Sequence, residues 1–69
     1  MSDSVYKVIE IVGTSPESWD KAAASAVARA AGSLRDLRVA EVTEQDVVIE
    51  NGGIKLYRTK MKVSFKFED

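Results

Sequence analysis

The chain has 69 residues, of which 45% are hydrophobic and 30% are charged, a composition that predicts one folded globular domain. It contains no cysteine and no histidine, which excludes disulfides, Cys/His zinc sites, haem ligation and His-based catalytic triads. Ten Lys and Arg against eleven Asp and Glu leave no basic surplus for a nucleic-acid partner. Because so small a domain rarely stabilises itself by its core alone, we expect oligomerisation.

The amino terminus gives an expectation about location. Residues 1–4 are polar and lack the basic and apolar regions of a signal peptide. No apolar run approaches the roughly 18 residues of a membrane-spanning helix. We therefore expect a cytoplasmic protein without a membrane partner.

The first predicted elements are a strand and a helix. The strand covers residues 5–12, a run rich in β-branched side chains. The helix follows a turn, with Ser15 as the predicted N-cap and Pro16 at the first helical position. Its apolar residues, mostly alanine, recur at intervals of three and four, and it should end near Arg35 or Asp36.

Two long strands are predicted next, at residues 38–50 and 54–67, joined at Asn51-Gly52. An Asn-Gly pair between alternating runs favours a type I′ turn, because both central residues need positive φ. The predicted fold class is therefore α+β. The β-α-β-β subunit has a three-stranded antiparallel sheet, with the last strand central, packed on one amphipathic helix.

A two-residue turn also sets the register of the hairpin. It places Glu41 opposite Lys62 and Gln45 opposite Arg58. One face then gathers the apolar residues Ala40, Val42, Met61, Val63, Phe65 and Phe67. The other face also carries apolar side chains, among them Val39 and Val47. Since one helix cannot cover both faces, an exposed apolar surface and a homo-oligomer are expected.

From Tyr6 to Glu68 the sequence resembles the dodecins. The most specific segments are VGTSP at 12–16, AEV at 40–42 and the run at 57–67. The resemblance implies a single dodecin-like domain over residues 1–69 that assembles into a hollow homododecamer. It also implies non-enzymatic binding and storage of a small ligand, which in many dodecins is a flavin.

Two positions depart from the flavin-binding pattern of that family. The flavin-binding members have a tryptophan that stacks on the flavin ring and a glutamine that bonds its polar edge. The matching positions here are Val39 and Arg58. Valine has no π face and arginine can only donate hydrogen bonds, so we expect flavin binding to be weak or lost. The candidate ligand-binding residues on this predicted face are Val39, Glu41, Gln45, Arg58 and Lys60.

Two other functions stay open, and both are non-enzymatic because no catalytic constellation is present. Glu44 and Asp46, predicted on the helix-covered face beyond the end of the helix, are candidate ligands for a divalent cation such as Ca²⁺. Salt bridges to Lys or Arg are the competing interpretation of these carboxylates. This cation hypothesis agrees with a resemblance to the branch of dodecins that lacks the flavin pair, some of which are described as calcium dodecins. The last alternative is a structural cage whose ligand site has decayed.

Overall fold

The computed structural model describes residues 3–66. It contains β1 (Tyr6–Ser15), α1 (Trp19–Ala31), β2 (Leu37–Glu50) and β3 (Gly53–Lys66). The strands form one antiparallel sheet in the order β1-β3-β2, and α1 packs against one face. The α+β class and the central position of the last strand are confirmed. Phe67, predicted in the apolar face, lies outside the described residues.

The junction between β1 and α1 lies later in the chain than predicted. The Oγ atom of Ser15, the predicted N-cap, accepts the backbone N–H of Glu17 at 3.0 Å, within a turn that precedes the helix. The N-cap is Ser18, whose Oγ accepts the N–H of Lys21 at 3.1 Å. The predicted cap was therefore wrong by three residues, because both serines can bond a nearby backbone N–H.

The helix also ends earlier than Arg35, at Ala31. The N–H of Gly32, the C-cap, points back to the carbonyls of Ala30 and Arg29. The chain then reaches β2 through Asp36, which has a positive φ of 54°. The helix ends where the N–H groups of Gly32 and Ser33 bond the carbonyls three residues earlier, at 3.2 Å and 3.0 Å, and glycine is a poor helix former.

The predicted hairpin turn is confirmed. Asn51 and Gly52 have φ values of 53° and 78°, and Glu50 lies opposite Gly53. The register at both ends of the hairpin is also as predicted, since Ile49 pairs with Ile54 and Glu41 pairs with Lys62. The turn chemistry therefore sets the alignment of the two long strands.

Between those ends the register is displaced by one residue. A bulge at Thr43 in β2 and a second at Lys55 in β3 enclose a segment in which residues 44–48 pair with residues 56–60. We call this the shifted segment. Within it Gln45 pairs with Thr59 rather than with Arg58, so the predicted pairing was wrong. One extra residue moves every following side chain to the other face of the sheet.

The buried core is small. Among the described residues the fully buried hydrophobic side chains are those of Ala22, Met61 and Val63. The accessible surface is 5235 Å², whereas a compact monomer of this mass would expose about 4,300 Å². The subunit therefore leaves much apolar surface uncovered. Within residues 3–66, no helix is long and apolar enough to cross a membrane.

Candidate functional site

The candidate site lies on the sheet face that α1 does not cover, here called the open face. On β3, Thr59 and Met61 point towards the helix: the Thr59 hydroxyl donates to the carbonyl of Trp19 at 3.0 Å, and Met61 is buried. Side chains alternate along a strand, so Arg58 and Lys60 lie on the open face. This central row of cations forms the middle of the site.

Carboxylates from β2 lie beside these cations because of the shifted segment. Asp46 pairs with Arg58 and Glu44 pairs with Lys60 in the register. The Nε and Nη2 atoms of Arg58 donate to the two carboxylate oxygens of Asp46 at 2.6 Å and 2.8 Å. The Nζ atom of Lys60 lies 3.1 Å from Glu44 Oε1 and 3.8 Å from Asp46 Oδ2. We call these four side chains the ion-pair cluster.

Charge within the cluster changes its titration. Hydrogen bonding by Arg58, assisted by the charges of Arg58 and Lys60, lowers the pKa of Asp46 below its usual value. The same hydrogen bond raises the pKa of Arg58. The pair is partly exposed to water, with 37% and 39% of the two side chains accessible, so its contribution to stability is modest. Its bidentate geometry instead fixes the direction of the guanidinium.

The predicted ligand-binding residues are only partly brought together. Val39, Glu41, Arg58 and Lys60 share the open face, and Val39 is 63% exposed. Gln45 pairs with Thr59 and therefore lies on the helix-covered face with it. The predicted position of Gln45 was wrong because the bulge at Thr43 exchanges the two faces.

The same bulge corrects the prediction for the candidate metal ligands. Glu44 and Asp46 were expected on the helix-covered face, but they lie on the open face beside Lys60 and Arg58. The described residues include no group of three or more Asp, Glu, His or Cys side chains that could hold a metal ion. A cation at these two carboxylates would therefore need ligands from outside the subunit and would compete with the two basic side chains.

Trp19 contributes to this site, and the sequence reasoning missed its role. Its indole Nε1–H donates to the backbone carbonyl of Asp46 at 3.0 Å, and its ring meets Tyr57 edge to face with centroids 5.1 Å apart. The available signal was general: a half-buried tryptophan needs an acceptor for its N–H. The sequence did not identify which strand supplies it.

Apolar side chains border the cluster on the open face. Val8 pairs with Ser64, and Val12 pairs with Lys60, so both share the face that α1 leaves uncovered. Their exposed fractions are 57% and 52%. The open face therefore combines a charged centre with an apolar border along β1, the combination expected of a surface covered by a partner.

Comparisons with known proteins agree with this architecture. The sequence profile of the family Dodecin matches residues 5–68. Calcium dodecin from Mycobacterium tuberculosis is 59% identical over 63 residues, which cover 91% of this chain and 89% of that protein. A crystal structure of calcium dodecin from that organism, described as calcium-chelating, has a TM-score of 0.85 at 57% identity and covers 94% of this chain and 93% of its own.

A further solved structure supports the same assignment. Dodecin from Streptomyces coelicolor has a TM-score of 0.94 at 40% identity, and the match covers 100% of this chain and 99% of that chain. The chain belongs to the dodecin family.

Proposed function

Since the chain is a dodecin, we propose that it is a non-enzymatic, cytoplasmic protein that assembles as a hollow homododecamer and binds a small ligand between subunits. We propose further that its affinity for flavins is weak or absent. The observation that supports this proposal is that Arg58 donates two hydrogen bonds to the carboxylate of Asp46. The side chain at the position of the flavin-binding amide is thus already occupied.

The ion pair of Arg58 with Asp46 is a poor partner for the neutral polar edge of a flavin ring. The polar edge of a flavin presents donors and acceptors, which an amide can match on both counts. Arg58 supplies donors alone, and a ligand must displace a carboxylate to reach them. Val39 offers no ring on which a flavin could stack, which forfeits roughly 0.5–1.5 kcal/mol of stacking.

A flavin titration tests the proposal. The wild type should quench flavin fluorescence weakly or not at all, and Val39→Trp combined with Arg58→Gln should bind at least about tenfold more tightly, which requires only about 1.4 kcal/mol. Val39→Leu with Arg58→Gln is the matched control, because it frees the same position without adding a ring. Strong quenching by the wild type at sub-micromolar flavin would show that other residues form the site.

A second candidate function is the binding of a divalent cation. Glu44 and Asp46 lie two residues apart on the open face, and a relative is described as calcium-chelating. Hard cations prefer six to eight oxygen ligands, so copies of these carboxylates from neighbouring subunits would complete the site. Each carboxylate must first exchange a basic partner for the ion.

Calorimetry with CaCl₂ tests the cation hypothesis. Calcium binding that is lost in the double variant Glu44→Gln with Asp46→Asn, and kept in Glu50→Gln, would favour cation binding over the binding of another small ligand as the function. Glu50 is the suitable control because it also makes an exposed ion pair, to Lys55 at 3.1 Å, but lies at the hairpin end. Binding that survives the double substitution would place the ion elsewhere. Absence of both flavin and calcium binding would favour a structural cage.

A further inference from the structure

We propose that Trp19 is a positioning residue that selects the register of the shifted segment and thereby holds the ion-pair cluster on the open face. Its indole N–H bonds the Asp46 carbonyl at 3.0 Å, while the carboxylate of the same residue is held by Arg58. Asp46 is thus fixed at both its backbone and its side chain. The consequence for ligand recognition rests on the proposed function, but the positioning itself does not.

The hairpin permits two registers with the same turn and the same far end. The bulge at Thr43 adds a residue to β2 and the bulge at Lys55 adds one to β3, so their displacements cancel. A straight ladder, which has neither bulge, would pair Asp46 with Tyr57. The pairing at the turn and at the far end of the hairpin would be the same as observed. The two arrangements differ only within the shifted segment.

The two registers present opposite surfaces to a ligand. In the straight ladder Glu44 would lie opposite Thr59, which is 0% exposed, on the helix-covered face. Gln45 would then lie opposite Arg58 on the open face. The open face would lose its carboxylates and gain an amide, so the register decides which chemistry the site offers.

Trp19 discriminates between the registers because its hydrogen bond reaches the segment from outside the sheet. A slip of one residue would move the Asp46 carbonyl by about 3.4 Å along the strand, out of reach of the present bond. The indole ring is itself fixed by the edge-to-face contact with Tyr57. The exposed ion pairs of the cluster are too weak to fix the register alone.

The test replaces the donor while keeping the ring. The chain has one tryptophan, so growth with L-β-(3-benzothienyl)alanine, in which sulfur replaces the indole N–H, changes this position alone. The readout is hydrogen exchange of the Arg58 Nε–H in the assembled protein, assigned with Arg58→Lys. We expect exchange to become about tenfold faster, as for the loss of one net hydrogen bond.

Thr59→Val is the matched control. It removes a bond of the same length, 3.0 Å, that joins the Trp19 backbone to β3 instead of the indole to β2, and it leaves the indole donor in place. We expect it to lower stability without accelerating exchange at Arg58. Equal acceleration in both proteins, no acceleration by the isostere, or failure of the isostere protein to fold would each overturn the positioning role. The readout needs no ligand, so a failed flavin or calcium titration leaves it unaffected.

A crystal structure of the isostere protein gives a second, independent measurement. The proposal expects Asp46 to leave Arg58, or the shifted segment to be present in more than one register. An unchanged bidentate pair at full occupancy would contradict it.

Discussion

Asp46 is the residue whose charge links the candidate site to the stability of the protein. Arg58 lowers its pKa by hydrogen bonding and by charge. A carboxylate with a lowered pKa in the folded state stabilises that state above the unfolded pKa, about 3.9, and this contribution is lost as the pH falls through the folded value. Asp46 should therefore contribute at neutral pH and not under strongly acidic conditions.

We predict that Asp46→Asn lowers the urea midpoint at pH 7, and that the two proteins converge as the pH falls below the folded pKa of Asp46. Convergence is expected because a protonated aspartate and an asparagine are both neutral and cannot pair with Arg58 as an anion does. Urea unfolding at one protein concentration across this pH range measures it. Glu50→Gln, which removes the more exposed pair with Lys55, should have a smaller effect at pH 7. A deficit of Asp46→Asn that stays constant with pH would contradict the linkage.

At the scale of elements, Gly13 determines how closely α1 approaches β1. A Cβ atom at this position would lie 2.0 Å from the backbone carbonyl oxygen of Ala22 and 2.8 Å from the Cβ of Ala26. Both contacts are closer than atoms can pack, and the nearer one is rigid helix backbone. The alanine-rich face of the helix and the glycine of the strand therefore form one close contact.

We predict that Gly13→Ala lowers the free energy of unfolding by about 1–3 kcal/mol, the usual cost of overpacking. Gly53→Ala is the matched control, since its Cβ would meet nothing nearer than the Glu50 carbonyl oxygen at 4.0 Å. The control should change stability by no more than about 0.5 kcal/mol. Chemical denaturation of both variants at equal concentration measures the difference. Similar effects of the two substitutions would show that the close packing does not limit stability.

The sequence predicts a turn, a cap or a strand correctly where the residues at that place alone determine the local structure. The turn at Asn51-Gly52 was predictable because positive φ at two adjacent residues demands those residue types. The predicted strand order was that of the simplest antiparallel sheet, with the last strand between the other two, and the structure has this order. The cap at Ser18 was not predictable with certainty, because Ser15 is an equally good capping residue.

The bulges at Thr43 and Lys55 could not be predicted from the pattern of the strands. Both registers keep apolar residues on each face, and the straight one differs in placing Glu44 and Asp46 instead of Gln45 and Val47 on the helix-covered face, so the apolar periodicity alone does not choose between them. The choice depends on tertiary contacts, such as that of Trp19 with Asp46, between residues 27 positions apart. For that reason Arg58 and Lys60 lie on the predicted face, whereas Gln45, Glu44 and Asp46 were predicted on the wrong faces.

For the whole molecule, the subunit is more extended than a compact domain of its length. Its radius of gyration is 14.4 Å, against about 11 Å for a compact chain of this length. The hairpin extends beyond the part of β3 that pairs with β1, and Ile49 and Ile54 near its end are 68% and 53% exposed. Assembly would cover such surfaces and supply the stability that the small core does not.

Val8 provides a direct test of assembly because its environment differs between an isolated and an assembled subunit. In the isolated subunit it is 57% exposed, so a charge there would remain in water and change stability by no more than about 1 kcal/mol. If assembly buries this position, an unpaired carboxylate costs much more. We predict that Val8→Asp abolishes both the assembly and the folded state. Val8→Thr, similar in shape and uncharged, should keep them.

Sedimentation velocity and circular dichroism on the same dilution series measure the outcome. The wild type should sediment as a species of twelve times the subunit mass of 7.6 kDa and lose its fold only when it dissociates, because folding and association are linked by mass action. A folded wild-type monomer would contradict the proposed assembly. An intact Val8→Asp oligomer would instead show that the border of the open face along β1 stays in water, and that the subunits meet through other surfaces.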